Sequence, residues 1–398
     1  MVNTTDALSR ARLLLQLGRP ADAERELRGI LAEEPQHSGA HGLMGVALVQ
    51  QGRTDEALEE SREAVRLAPD HWVPHYLSGQ VHQRAGLTEE ALRATAACLA
   101  LAPEHVPAWD LLARVHLTRK DWPQVAAAAR RGLELEPQDA DLAGLLSMAL
   151  TMLGQDEQAR AVAAQAVGND PESTLAHWAR GLAALSGGDP GTAAGAFREV
   201  LRLDPGVEGA RDYLVHALKQ RNPVLRLLSQ WRQRFVGGWR LLFLLPVLPP
   251  VIAVFAIIAL LHWVAWLVES WTTLRLTRNR TTRLLFEGPA ARVSLLCCAL
   301  PVAGAVLLGL GIGLGLDGLG SAGTATMALV TPVQEAAHTG SPIGRRILYG
   351  WAVLLAAAAL AAAVTGAFLP ALLATYAALA TVWFAAGVRK IFRPREAV

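Results

Sequence analysis

Six prolines stand at positions 35, 69, 103, 137, 171 and 205, each 34 residues after the one before. A fixed period of this length predicts an array of one supersecondary unit, in which no copy can bury its apolar face alone and each packs on its neighbours. Every proline follows an apolar run at helical spacing, such as those ending at Leu67–Ala68 and Leu135–Glu136, where the missing N–H and the fixed φ stop a helix. With each proline set as position 32, repeats begin at residues 4, 38, 72, 106, 140 and 174. Position 8 then reads Ala11, Gly45, Gly79, Ala113, Ser147 and Gly181, and position 20 reads Ala23, Ala57, Ala91, Val125, Ala159 and Ala193. Small residues at both positions predict a close crossing of two helices within each repeat. Position 15 reads Gly18, Gly52, Gly86, Lys120, Gly154 and Gly188, which predicts a turn in left-handed geometry after the first helix, with Lys120 the exception.

These columns resemble the tetratricopeptide repeat family, most closely at Met44–Gly45 with Gly52 and Ala57, and at Ala193 with Phe197 and Pro205. The resemblance covers about residues 4–207. It implies an all-α fold: a solenoid of helical hairpins over residues 1–220, with residues 208–220 (Tyr213, Leu214, Leu218) as an extra helix capping the last repeat. It also implies that the first helix of each repeat lines a concave face through positions 2, 5, 9, 12 and 13. In the middle repeats that face carries Tyr76, Gln80, Gln83, Arg84, Asp110, Arg114, Thr118, Met148, Met152 and Trp178. Rings and methionines suit an amphipathic peptide or helix of a partner protein, and Arg84 and Arg114 suit its carboxylates. One version of the family grips chaperone tails with Lys and Asn at positions 5, 6 and 9. This chain departs from it, since position 5 reads Leu8, Gly42, Tyr76, Asp110, Gly144 and Trp178 and position 6 has no Asn.

The rest of the chain is different in kind. Residues 1–218 hold 20 Lys+Arg against 30 Asp+Glu, whereas residues 219–398 hold 17 against 5. Long uncharged runs in that basic half predict four membrane spans, at residues 241–270, 293–316, 347–366 and 370–388, in a transmembrane bundle over 241–398. Pro246, Pro249 and Pro250 leave open a re-entrant hairpin in place of the first span. Trp239, Trp263, Trp266, Trp271, Trp351 and Trp383 are expected at the headgroup layer, and residues 221–240 form an amphipathic linker lying on the membrane. Gly309, Gly311, Gly313 and Gly315 have the spacing of close helix pairing, within this chain, with a second copy or with another membrane protein.

With the repeats in the cytoplasm, twelve Lys+Arg flank the spans inside and five outside, which favours that orientation. Three cysteines, Cys98, Cys297 and Cys298, make no disulfide framework and suit a reducing compartment. Arginine outnumbers lysine, which stands only at 120, 219 and 390, the coding bias of a GC-rich bacterial genome.

Chemistry is hard to find. Only His262 and Glu269 are expected as ionisable groups within a span, too few for a pump or an intramembrane enzyme. The pairs His71 with His75 and His82 with His116 lack the further ligands that zinc requires. No phosphate loop, nucleophile elbow or zinc-protease helix occurs, and a first half at −10 does not suit nucleic acid. The expectation is a non-enzymatic scaffold without cofactor or metal, holding a protein partner at the cell membrane. The alternative is an accessory or assembly subunit of a membrane enzyme, exporter or envelope-biogenesis complex, docking through its transmembrane helices.

Overall fold

The computed structural model describes residues 4–227, 249–278 and 289–392, which are helical and contain no strand. The chain divides into two compact units, Met1–Leu214 and Val215–Val398.

The first unit opens with six helical pairs: α1 (Thr4–Gln16) with α2 (Pro20–Glu33), α3 (Ser38–Gln50) with α4 (Thr54–Leu67), and α5 (Trp72–Arg84) with α6 (Thr88–Leu101). They continue as α7 (Val106–Thr118) with α8 (Trp122–Leu135), α9 (Ala140–Met152) with α10 (Asp156–Asn169), and α11 (Thr174–Ser186) with α12 (Pro190–Leu203). A further helix, α13 (Ala210–Gln220), runs across the boundary of the two units. Each first helix packs on the second helix of its own pair, and both helices of a pair pack on the first helix of the next, so the core is continuous along the stack.

Three local devices recur. A Cβ on Gly45 would stand 3.0 Å from the Ala57 carbonyl, and one on Gly181 would stand 2.6 Å from the Phe197 ring, so the small column is required by direct contact. The inter-helix turn is left-handed in every repeat, with φ between +68° and +77° at Gly18, Gly52, Gly86, Gly154 and Gly188 and +57° at Lys120. At position 4, the side chains of His75, Trp109 and His177 place a ring nitrogen on the carbonyl of the preceding period's proline, at 2.7, 2.8 and 2.9 Å. His41 makes the same contact with Pro35 at 2.9 Å. The proline thus both ends one repeat and offers its oxygen to the next.

The second unit contains α14 (Pro249–Arg278), α15 (Pro289–Leu314), α16 (Asp317–Ala328), α17 (Val330–Ala337), α18 (Pro342–Thr365) and α19 (Phe368–Ile391). Among the described residues, four stretches are long and apolar enough to cross a membrane: Ala256–Thr277, Ala291–Leu314, Pro342–Thr365 and Phe368–Ile391. Over its described part, the first apolar stretch is one unbroken helix opened by Pro249 and Pro250, not a hairpin. Residues 241–248, with Pro246, lie outside the described residues, as do Trp239 and most of the 221–240 linker.

The segment joining the second and third apolar helices, to which the sequence assigned no element, is helical: α16 and α17 fill it, bury Ala322, Ala325, Ala328 and Val330, and pack on α15, α18 and α19. Its Gly-, Ala- and Thr-rich sequence lets backbones approach, as where a Cβ on Gly304 would meet the Gly323 carbonyl at 2.6 Å. The tryptophans, read as headgroup anchors, largely face inward. Trp266 and Trp383 are buried, the Trp263 indole donates to the Met327 carbonyl at 2.8 Å, and that of Trp351 donates to Thr381 Oγ1 at 3.1 Å. A buried indole N–H needs an acceptor, and these helices supply one. Trp271, by contrast, is exposed.

Candidate protein-interaction surface

A cavity of about 340 Å³ opens on the first unit, and its lining comes from first helices alone. Arg12, Leu15 and Gln16 come from α1, and Leu43, Val46 and Gln50 from α3. Trp72, Tyr76, Gln80 and Arg84 come from α5, while His105 and Pro107 stand at the start of α7. No second helix contributes, as expected where first helices form the inner wall of a curved stack. Leu15, Leu43 and Val46 are buried in the floor, Tyr76 and Gln80 are half-buried, and Arg12, Gln16 and Arg84 are exposed at the rim.

Aromatic contacts fix one wall. His105 packs between two rings, tilted against Trp72 at 4.1 Å and edge-to-face with Tyr76 at 4.9 Å by centroid. Burial pulls the His105 imidazole below its ordinary value, so it stays neutral near pH 7, and its Nε2 is buried without a hydrogen-bond partner. Burial likewise pushes the Tyr76 phenol up, against a hydrogen bond with Gln80.

Of the ten residues expected on the concave face, Tyr76, Gln80 and Arg84 meet at this cavity. Gln83 is half-buried outside its lining. Arg114 does not stand ready for a partner's carboxylate. Its Nε donates to Asp110 at 2.7 Å and its Nη2 to Asp141 at 2.9 Å, so its charge is already matched within the stack. Burial raises the Asp110 carboxyl, with the Arg114 hydrogen bond opposing. The Thr118 hydroxyl donates to the Val115 carbonyl at 2.7 Å. Met148 is half-buried and Met152 is exposed on α9. Trp178 belongs to a packed aromatic group, with Phe197 at 5.5 Å and Tyr213 at 5.2 Å.

Arg12, Gln16, Val46 and Gln50 were missed. They occupy positions 9 and 13 of repeats one and two, the inward positions applied above only to the middle repeats. Two of the histidines weighed as metal ligands have other roles: His75 holds the Pro69 carbonyl, and His82 Nδ1 lies 2.7 Å from the Ser78 carbonyl. Burial holds the Cys98 thiol up at about 11, which leaves it unreactive.

In the second unit the four glycines do not form one face. A Cβ on Gly311 would collide with the backbone of Gly320 on α16, and Gly315, at φ +66°, ends α15. Gly309 and Gly313 face open space. A polar cluster was also missed. Glu269 meets Lys219 at 2.9 Å and His338 at 3.3 Å, and the buried Glu335 meets Arg389 and Trp266. Lys219, Glu335, His338 and Arg389 lie at helix ends or between the expected spans, where a search for charges inside spans does not reach.

The tetratricopeptide repeat family model matches residues 8–71, 111–173 and 153–208. Over the matched residues the helical pairs of the first unit are tetratricopeptide repeats, and the described residues beyond them include four candidate membrane-spanning helices. Among solved structures, the Cut9–Hcn1 hetero-tetramer of the APC/C is similar at 21% identity, covering 54% of this chain and 42% of that one, with a TM-score of 0.47. Pseudomonas aeruginosa pilF is similar at 20% identity, covering 54% and 97%, with a TM-score of 0.45. YrrB, described as a TPR protein with an unusual peptide-binding site, is similar at 17% identity, covering 48% and 97%, with a TM-score of 0.38. This chain therefore spans less than half the length of the first of these. No curated protein matches it.

Proposed function

We propose that the protein is a membrane-anchored scaffold whose repeats hold a protein partner at the cytoplasmic surface of the cell membrane. The observation that carries this reading is the cavity built wholly from first helices, in a chain that also has four apolar helices of spanning length. Tetratricopeptide repeats serve protein binding in general, and the cavity combines an apolar floor with a polar rim, the arrangement of a recognition surface. The test is a photo-crosslinking residue placed at Gln80 in the cavity or at Glu59 on α4, outside its lining, in intact cells. A discrete adduct from position 80 alone, in a product that sediments with membranes, is the expected result. Equal labelling from both positions, or full-length protein in the detergent-free supernatant, overturns it. Protease access to the repeats in inverted vesicles alone tests the cytoplasmic orientation.

A second reading, an accessory or assembly subunit docking through its transmembrane helices, draws on Gly309 and Gly313, where an added side chain would meet nothing within 4 Å. It predicts that a partner copurifying in detergent is lost on changing both glycines to leucine and kept when the cavity is altered.

A further inference from the structure

The first unit is acidic, yet no Asp or Glu lines its cavity. The two cations there, Arg12 and Arg84, make no side-chain hydrogen bond or ion pair among the described residues, while neighbouring Arg10 and Arg53 are paired with glutamates. A guanidinium pair facing a pocket free of carboxylates is a site of unmatched positive charge. Between them stand the amides of Gln16, Gln50 and Gln80, one from each of the first three first helices. Each amide carries both a donor and an acceptor.

We propose that this cavity binds an extended acidic segment of a protein partner. Its carboxylates meet Arg12 and Arg84, its backbone pairs with Gln16 and Gln50, and an aliphatic or aromatic side chain rests on Val46 and Tyr76. The inference rests on the concave face being the partner surface. A free phosphate would use only donors and leave the glutamine carbonyls and the apolar floor without a role. An extended peptide must satisfy an N–H and a C=O at each residue, which the amides can do. An anionic membrane surface or a nucleic acid would meet the acidic remainder of the unit, whereas a short acidic segment reaches only the pocket.

The test is selection of random linear peptides on the full-length chain in zwitterionic nanodiscs, followed by fluorescence anisotropy with one selected peptide. Expected are sequences with Asp or Glu flanking an apolar residue, bound more weakly as salt rises. Combining Arg12→Gln with Arg84→Gln should weaken binding by roughly tenfold or more, the scale of a lost charge-assisted hydrogen bond. Changing the exposed Arg62 on α4 to Gln should leave it within about twofold, and circular dichroism should show both variants folded. Selected peptides without acidic bias, or binding indifferent to the double change, overturn the acidic-ligand inference and leave the groove reading standing. No selected peptide at all sinks both. Retention of inorganic phosphate or of phosphatidylglycerol nanodiscs through Arg12 and Arg84, in place of peptide, also overturns the inference.

Discussion

The Arg389 guanidinium donates to the carboxylate of Glu335, a residue only 3% exposed, and joins the last helix of the second unit to one lying 54 residues earlier. The other Glu335 oxygen accepts the Trp266 indole N–H at 3.1 Å, and the Thr339 hydroxyl donates to the Glu335 carbonyl at 2.7 Å. One side chain thereby connects α14, α17 and α19, at a point where an unmatched charge would be costly.

Replacing Glu335 with Ala leaves Arg389 without its carboxylate and the Trp266 N–H without its acceptor. The expected loss is on the order of 2–3 kcal/mol, below the cost of breaking a fully buried pair because Arg389 is still partly exposed. Thermal unfolding of the purified protein in detergent would measure it. An unchanged midpoint would mean that the ion pair holds nothing together.

Lys120 is the only described non-glycine residue at positive φ, in a turn that five other repeats fill with glycine. Its left-handed backbone costs roughly 1–2 kcal/mol, against which glycine's extra freedom when unfolded is a smaller penalty. Lys120→Gly should therefore stabilise the repeats by about 0.5–1 kcal/mol. Chemical denaturation followed by circular dichroism reads the sign directly.

Phe197 is fully buried beneath the small column, its ring against Gly181, stacked on Tyr213 and at a steep angle to Trp178. Phe197→Ala empties the crossing of the last repeat and should cost about 3–5 kcal/mol. Gly181→Val pushes into the same ring and should cost about 1–3 kcal/mol. Limited proteolysis near residue 200 would show both as local opening of the final pair.

The period of the prolines and the small columns at positions 8 and 20 made the repeats legible, because one geometric demand was written six times. What stayed hidden depended on pairing in space. Arg114 and Arg84 look alike in sequence, but only Arg114 has carboxylates placed at 110 and 141 to neutralise it. The cavity was read only at Tyr76, Gln80 and Arg84, while Arg12 and Gln50 needed the same register carried into the first two repeats. Helices α16 and α17 were invisible because they are too short to span, less apolar than the spanning helices and rich in small residues, so neither length nor hydropathy marks them. Their burial follows from close backbone approach, which periodicity alone does not report.

Glu24 gives the repeats a defined acid sensitivity. It is 6% exposed and accepts from Gln51 at 2.8 Å, from Arg53 at 2.8 Å and from Arg28 at 2.5 Å. The Gln51 amide, with Arg53 and Arg28, holds its carboxyl below the ordinary 4.5. A carboxylate with a depressed folded pKa contributes stability in full above its unfolded value and loses it as pH falls through the folded one. Wild type should therefore exceed Glu24→Gln in thermal midpoint above pH 4.5, and the gap should close steadily below it. A gap that widens on acidification would contradict the assignment.

The two kinds of glycine on α15 should behave oppositely. A side chain at 311 has the Gly320 backbone in its way, and backbone cannot rotate aside as a side-chain tip does. Gly311→Val should force α15 and α16 apart and cost about 1–3 kcal/mol, seen as a lower unfolding midpoint in detergent. Gly309 and Gly313 meet nothing within 4 Å, on a helix whose Val306, Leu310 and Ile312 are also exposed. Valine at either position should leave the midpoint of the single chain unchanged within about 0.5 kcal/mol. If Gly309→Val also lowered it, and did so only at high protein concentration, that face would be covered by a second helix rather than by lipid.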